Sequence, residues 1–454
     1  MFIHNRSSIF YTGPILIVGI LSLVFLGTSY ADQHSGSSGG SMIASAINEF
    51  KVVFMDTTYD FELRRALGYS VSGGADINEC LYTARRIKEG DDESWYREWR
   101  ATADRVMVIG EKALAAGKLV SAREAYLRAS NYYRTAEFFL RAKLDDPRIL
   151  ETWRLSRDCF LKAAELIDHP VERVKVPWEG TTLPGYIMKP DKSNKPRKTL
   201  VVHTGFDGTG EELYFEVAFF ALKRGYNVLI FEGPGQGAAL REQGLYFRPD
   251  WEKVVTPVLD FAMKRRDIDP KRIALLGISM GGYLAPRAAA FEHRLAAVVA
   301  NPGVHNLLDA KSAPTAQEKE KTSEDPALIN KGIREMMQTD SGFRWWIQHG
   351  MFSFGKKEPF DLVTALSEYH LDEVAGLIKC PTLVIVSEND HFHTTQAQEK
   401  LYDLIKAPKT LMRFTNAEMA GEHCQMGSVI LSNQKILDWL DDTLGKIGGT
   451  KARR

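Results

Sequence analysis

The stretch that most constrains this chain runs from residue 273 to about 290. Ile273-Ala-Leu-Leu276 is a short apolar run of strand type, Gly277-Ile278-Ser279-Met280-Gly281 follows, and a small-residue helix continues from Gly282. G-x-S-x-G alone is a common string. Placed between a strand and a helix, it describes a turn with no room for side chains beside the serine, which lifts the hydroxyl above the carboxyl edge of a sheet. A chain built around such a turn needs a mainly parallel sheet flanked by helices. Pro286 inside the helix predicts that the first helical stretch is short.

The surrounding pattern supplies that sheet. Val174–Trp178, a Glu179-Gly180 turn and Pro184–Met188 read as an antiparallel strand pair. Strand candidates follow at 199–203, 227–231, 273–276, 297–300, 382–386 and 410–414. Helical candidates fall at 213–224, 251–265, 283–290, 395–405 and 426–444. Strands alternating with amphipathic helices give an α/β class. Between Pro302 and Lys379 the alternation stops for about 75 mostly helical residues, too long for a connection, and this segment reads as an inserted cap.

Before Pro170 the period is helical. Trp95, Trp99, Ala103, Val106 and Ile109 recur at three- and four-residue steps, and Gly117 separates two helices of a hairpin. The hairpin resembles one tetratricopeptide unit, but no second copy follows, and such arrays need about three. Its aromatic stripe therefore reads as packing core.

Residues 1–31 read as an address. Arg6 precedes an apolar run of 13 residues from Pro14 to Leu26, and Ser29-Tyr30-Ala31 puts small residues at a cleavage site before Asp32. The expectation is an exported protein, periplasmic or secreted, with an uncleaved N-terminal membrane anchor as the alternative. The division expected is 1–31 signal peptide, 32–42 flexible linker, 43–169 helical domain, and 170–454 α/β domain with its cap at about 303–379. Cys80, Cys159, Cys380 and Cys424 lie far apart without a C-x-x-C and read as buried thiols, their pairing left open. With 58 Lys+Arg against 58 Asp+Glu, balanced on both sides of Pro170, no basic surface is available for nucleic acid. The partner expected is a small-molecule substrate, without a stable membrane span once the signal is removed; self-association is compatible with the sequence. No cofactor and no metal is called for.

A serine nucleophile needs a base, and the base needs an orienting carboxylate. On a sheet of this kind the chain order is serine, acid, histidine. Asp390 lies just past the strand 382–386, where active-site groups gather. Glu388 is the rival acid, closer to the strand. His423 follows the last strand and is the candidate base. His391 and His393 precede that strand and read as surface residues; as an H-x-H metal pair they lack a third ligand. Cys424 reads as a packed thiol. The oxyanion donors expected are the backbone N–H groups of Met280, next to the serine, and of Phe206, in His203-Thr-Gly-Phe-Asp-Gly208. Thr209-x-x-Glu212 fits a capping box, which makes Glu211 and Glu212 structural. Gly233-Pro-Gly-Gln-Gly237 is a tight turn at the same edge and lacks dinucleotide spacing.

These motifs resemble the α/β-hydrolase superfamily. Ser121-Ala122, Arg128-Ala-Ser-Asn-Tyr-Tyr133, Gly205-Phe-Asp-Gly-Thr-Gly-Glu-Glu212, Gly233-Pro-Gly-Gln-Gly237, Gly277-Ile-Ser-Met-Gly-Gly282 and Glu422-His-Cys424 together resemble one branch of it. That branch holds the fermentation–respiration switch proteins, 2,6-dihydroxypseudooxynicotine hydrolase and the fungal polyketide-shortening hydrolase of melanin pigment synthesis. The similarity covers about Asn48 to Leu444. It implies an α/β-hydrolase fold with an N-terminal helical domain and a helical cap, and a Ser279, Asp390 and His423 triad. It also implies hydrolysis of an ester or of a carbon–carbon bond beside a ketone. His203-Thr204 stands where a second glycine is common, and an export signal is unlike the intracellular members. Trp345, Trp346 and Phe352 of the cap are the candidate substrate-lining residues, with Trp95, Trp99 and Tyr133 as a facing wall. A general carboxylesterase or peptidase is the alternative enzyme. A non-catalytic partner-binding protein is the alternative outside enzymes, and it has no need of a complete triad.

Overall fold

The structure, a computed structural model, describes residues 51–308 and 325–447. The expected signal segment 1–31, the linker 32–42 and part of the cap, 309–324, lie outside the described residues. Among those described, no helix is long and apolar enough to cross a membrane.

The described residues open with helices α1 (Thr57–Gly68), α2 (Ile77–Ala84), α3 (Asp92–Ala115), α4 (Leu119–Glu137) and α5 (Pro147–Ala164). Four of them start on an aspartate, at 56, 76, 91 and 146, whose carboxylate accepts from free N–H groups of the first turn. Gly117, at φ +70°, turns the chain between α3 and α4. Trp95, Trp99, Ala103 and Val106 face inward, but Ile109 does not: it is 42% exposed. The inward stripe continues at Gly110 instead, where Tyr126 packs so closely that a Cβ would lie 2.8 Å from its ring. The four-residue step from Val106, not the three-residue one, keeps the face aligned.

The sheet has eight strands in the order β1-β2-β4-β3-β5-β6-β7-β8. These are β1 (Val171–Trp178), β2 (Thr181–Met188), β3 (Arg197–His203), β4 (Asn227–Phe231), β5 (Ile268–Ile278), β6 (Ala297–Asn301), β7 (Thr382–Ser387) and β8 (Lys409–Phe414). β1 and β2 pair antiparallel around Glu179 and Gly180, both at positive φ, and β2 pairs antiparallel with β4; the rest is parallel. The register places His203 beside Gly277, and Ile278 beside Asn301, so the carboxyl ends of β3, β5 and β6 lie level. α6 (Phe219–Lys223), α7 (Gly237–Arg241), α8 (Glu252–Met263), α9 (Gly281–Ala289), α13 (Thr395–Leu404) and α14 (Val429–Ile447) cover the sheet, while α10 (Pro326–Thr339), α11 (Ser341–Phe354) and α12 (Pro359–Leu366) form the cap. Pro286 lies inside α9. The regular helix expected over 213–224 begins as a wider π-type turn at Tyr214–Ala218, which buries five successive residues at once.

Alternate residues of the parallel strands feed two cores. Leu200, Val202, Val228, Ile230 and Leu276 point to one face; Val201, Leu229 and Leu275 point to the other. The second core runs on without a break into the helical segment through Trp95, Trp99 and Tyr132, and into the cap through Trp345, Ile347 and Leu362. Trp95, Trp99 and Tyr133 have no exposed surface, and Trp95 Nε1 donates to the carbonyl of Thr135. They are core of the helical segment and do not form the facing wall expected of them.

Candidate active site

Ser279 sits at φ +59°, in the left-handed region where a non-glycine residue stores about 1–3 kcal/mol. The turn is held from outside by its own N–H, which donates to the carbonyl of Asn301 at 2.6 Å. A Cβ on Gly277 would lie 2.0 Å from the Gly281 carbonyl oxygen, and one on Gly282 would lie 1.8 Å from that of Pro302. The glycines are thus required by close backbone approach on both sides of the serine.

His423 Nε2 lies 2.9 Å from Ser279 Oγ, and its Nδ1 lies 2.7 Å from Asp390 Oδ2. The other oxygen of Asp390 accepts from the N–H groups of Phe392 (2.8 Å) and His393 (3.0 Å), so the loop after β7 orients the carboxylate. Burial pushes the Asp390 carboxyl up, but the His423 ring outweighs it and holds the group well below the usual carboxylate range. Burial likewise opposes the charged form of His423, and Asp390 outweighs it, raising the ring well above its ordinary value. An ionised Asp390 keeps the proton of neutral His423 on Nδ1 and turns the Nε2 lone pair to the serine hydroxyl. Glu388 is exposed and accepts from the N–H of Asn416.

His391 and His393 are not surface residues. Both are partly buried, with ring centres 5.9 and 6.2 Å from that of His423, and His391 packs on Phe61 and Phe392. The loop 390–394 folds back over His423 because Asp390 captures two of its N–H groups. Among the described residues, no three His, Cys, Asp or Glu side chains gather to hold a metal. All four cysteines are buried free thiols; that of Cys424 donates to the Asn301 carbonyl at 3.5 Å.

Just past His423 in the chain, Gln425 belongs to a set of buried amides. Gln425 exchanges hydrogen bonds with Asn301 and donates to Ser387 Oγ, and Gln398 holds both backbone groups of Ser387. They tie the ends of β6 and β7 to the histidine loop. No motif in the sequence singles them out, because single glutamines lack a spacing signature.

The loop 204–208 lies against the serine turn: a Cβ on Gly205 would be 2.5 Å from Met280 N and 2.6 Å from the Ile278 oxygen. Four groups hold this loop. Gln236, of the Gly233–Gly237 turn, donates to the carbonyls of Thr204 (2.6 Å) and Gly205 (3.4 Å). His349 of α11 meets the carbonyl of Phe206 at 2.9 Å. Asp207 accepts from Arg65 (2.8 Å) and Arg134 (2.6 Å). Those guanidiniums also share Glu62 and Glu212, and Glu212 takes a further bond from Tyr69 Oη at 2.9 Å. Glu211 accepts from Tyr186 Oη. Both glutamates are structural, yet Glu212 does more than close a capping box: it bonds the α1 and α4 helices to the sheet.

Trp345 is 4% exposed, stacks on Phe138 at 4.3 Å and donates from Nε1 to the Phe138 carbonyl. Trp346 and Phe352 are partly exposed. Trp346 stacks between Phe206 (6.2 Å) and Phe343 (6.3 Å), while Phe352 lies under the Arg141 guanidinium.

Residues 199–426 match the model of the Alpha/beta hydrolase family. Hydrolase LUC6 of Fusarium sp is 37% identical over 421 residues, covering 87% of this chain and 98% of the relative. The 20-hydroxy-prefusarin hydrolase FUS2 of Gibberella moniliformis is 36% identical over 419 residues, covering 86% and 97%. Among solved structures, 2,6-dihydroxy-pseudo-oxynicotine hydrolase superposes with a TM-score of 0.66 at 23% identity, covering 85% of this chain and 97% of that one, a likeness of fold. With its eight-stranded sheet, its flanking helices and hydrolases for relatives over nearly their whole length, the chain belongs to the alpha/beta hydrolase family.

Proposed function

We propose that this hydrolase works by a Ser279 nucleophile, a His423 base and an Asp390 orienting acid on the carbonyl of a small aromatic or acyl ketone or ester. The observation that carries the reading is the unbroken hydrogen-bond chain of 2.9 and 2.7 Å from the strained serine through the histidine to the buried carboxylate. Ser279 Oγ attacks the carbonyl carbon as its proton passes to His423 Nε2. The N–H groups of Met280 and Phe206 receive the oxyanion. The tetrahedral adduct collapses, His423 returns the proton to the departing carbanion or alkoxide, and water repeats the sequence on the acyl-enzyme. Carbon–carbon cleavage requires a leaving group that delocalises charge, such as an enolate or an aromatic ring.

The ring stack of Phe206, Trp346 and Phe343 beside the 204–208 loop supports a flat, apolar substrate. A panel of aryl esters and aromatic β-diketones tests the substrate class. Turnover of at least one series, abolished in Ser279→Ala, is expected; inertness toward both refutes it. The series preferred separates ester from carbon–carbon chemistry.

The pH dependence follows from the base. His423 acts only when neutral, and Asp390 raises its ring above the ordinary value of 6.5. The rate kcat/KM therefore falls as pH drops, with the acid midpoint above 6.5. A pH–rate profile with its acid midpoint at or below 6.5 contradicts this.

A further inference from the structure

His349 enters no step of the reaction, yet it is 1% exposed, and both its ring nitrogens are engaged. Nδ1 lies 3.2 Å from Arg141 Nε, and Nε2 lies 2.9 Å from the carbonyl oxygen of Phe206. A guanidinium only donates, so Nδ1 is an acceptor and the ring hydrogen is on Nε2, where it donates to Phe206. Arg141 is itself fixed: 1% exposed, it bonds the carbonyls of Glu137 and Leu140 (3.0 Å each) and the Glu137 carboxylate (2.7 Å), which Arg241 also holds. Burial first, and then Arg141, pulls the ring down to about 3 against an opposing pull from Asp207, so the ring is neutral and its Nδ1 lone pair is open to Arg141.

We infer that His349 is a positioning residue for the oxyanion loop, through which the cap sets the orientation of the Phe206 peptides; this rests on the serine-hydrolase reading above. The geometry explains how. Gln236 of the sheet edge holds the carbonyls of residues 204 and 205, and the next carbonyl is held by α11 of the cap. Freed from His349, the 206–207 peptide turns about the Phe206 Cα–C bond; the Phe206 backbone then relaxes, and the preceding peptide, whose carbonyl Gln236 holds only at 3.4 Å, carries the Phe206 N–H off its aim. Through Arg141, which follows α4 and bonds its last residue Glu137, the ring also ties α11 to that helix end, so one hydrogen bond reports to the oxyanion loop whether cap and helices are docked.

His349→Phe keeps a planar ring, slightly larger than imidazole, and removes both nitrogens, whereas His349→Gln retains an amide N–H to offer the Phe206 carbonyl. On the preferred substrate, H349F is expected to lower kcat about 10- to 100-fold, less than the roughly 100- to 1,000-fold lost with an oxyanion donor itself. KM stays within about threefold, and H349Q recovers most of the loss. Affinity for an aryl boronic acid, which mimics the tetrahedral adduct, falls in step with kcat. Folded H349F with kcat within twofold of wild type, or with boronate affinity unchanged while kcat falls, overturns the inference. Where neither variant folds, neutron diffraction on the wild-type protein decides: hydrogen on Nε2 supports it, and hydrogen on Nδ1 overturns it. Ser279→Ala run alongside separates the two readings. A dead S279A with a fully active H349F refutes only the positioning role, whereas an active S279A refutes the serine mechanism.

Discussion

Ser279→Ala lowers turnover by about four to six orders of magnitude while leaving the fold intact. The magnitude follows from what is removed: without Oγ there is no covalent intermediate, and only binding and the oxyanion donors remain, worth roughly 10³–10⁴ over water. Because serine and base act as one unit, His423→Ala costs about as much, and the double variant costs little more. The fold survives because the elbow is held by backbone, through the Ser279 N–H to Asn301 and the tight approach of Gly277 and Gly282. A fluorophosphonate probe reads the outcome directly. Wild type labels and S279A does not; equal labelling of both, or none of the wild type, sinks the mechanism.

Arg134→Met destabilises the protein by about 3–5 kcal/mol, the cost of leaving buried charges without their partner. Arg134 bonds Glu62 at 2.8 Å, Asp207 at 2.6 Å and Glu212 at 3.2 Å, all largely out of water. With it gone, Arg65 alone faces three carboxylates. The same change frees Asp207 on one side, so the loop beside Met280 loosens and turnover falls beyond what lower stability explains. Urea unfolding gives the first effect and kcat on the folded fraction gives the second. A midpoint equal to that of the wild type would show the network to be dispensable. Replacement of the whole set by apolar residues need not cost as much, since the penalty comes from the charges left behind.

How much of this was legible in the residues depends on whether a feature is local. The strand–turn–helix around Ser279 is local: glycine spacing and apolar runs specify it, and β5 and α9 lie where the pattern puts them, although β5 starts five residues earlier, at Ile268. The order serine, acid, histidine along the sheet edge is topological, and topology restricted Asp390 and His423 to loops after particular strands. The errors came where spacing was read without neighbours. Ile109 continued a helical step on paper, but Tyr126 of the next helix occupies the place opposite Gly110. His391 and His393 looked like surface residues because nothing in a linear pattern shows the Asp390 loop folding over His423. Asn301, Gln398 and Gln425 were invisible for a related reason, since a buried amide has meaning only through partners far along the chain. Arg65 and Arg134 were hidden for the same reason: each reads as an ordinary helical charge until Asp207 is placed beside it.

The arginine–carboxylate network has a consequence for recombination among relatives. The change from helical to strand periodicity near Pro170 offers an obvious crossover point for chimeras, and the connection there is short. Every pairing of Arg65 or Arg134 with Asp207 or Glu212 crosses that point. A chimera joined at residue 170 therefore inherits its lock from one parent and its key from another, and the fit of those four charges, more than the sequence at the seam, decides which parents are compatible.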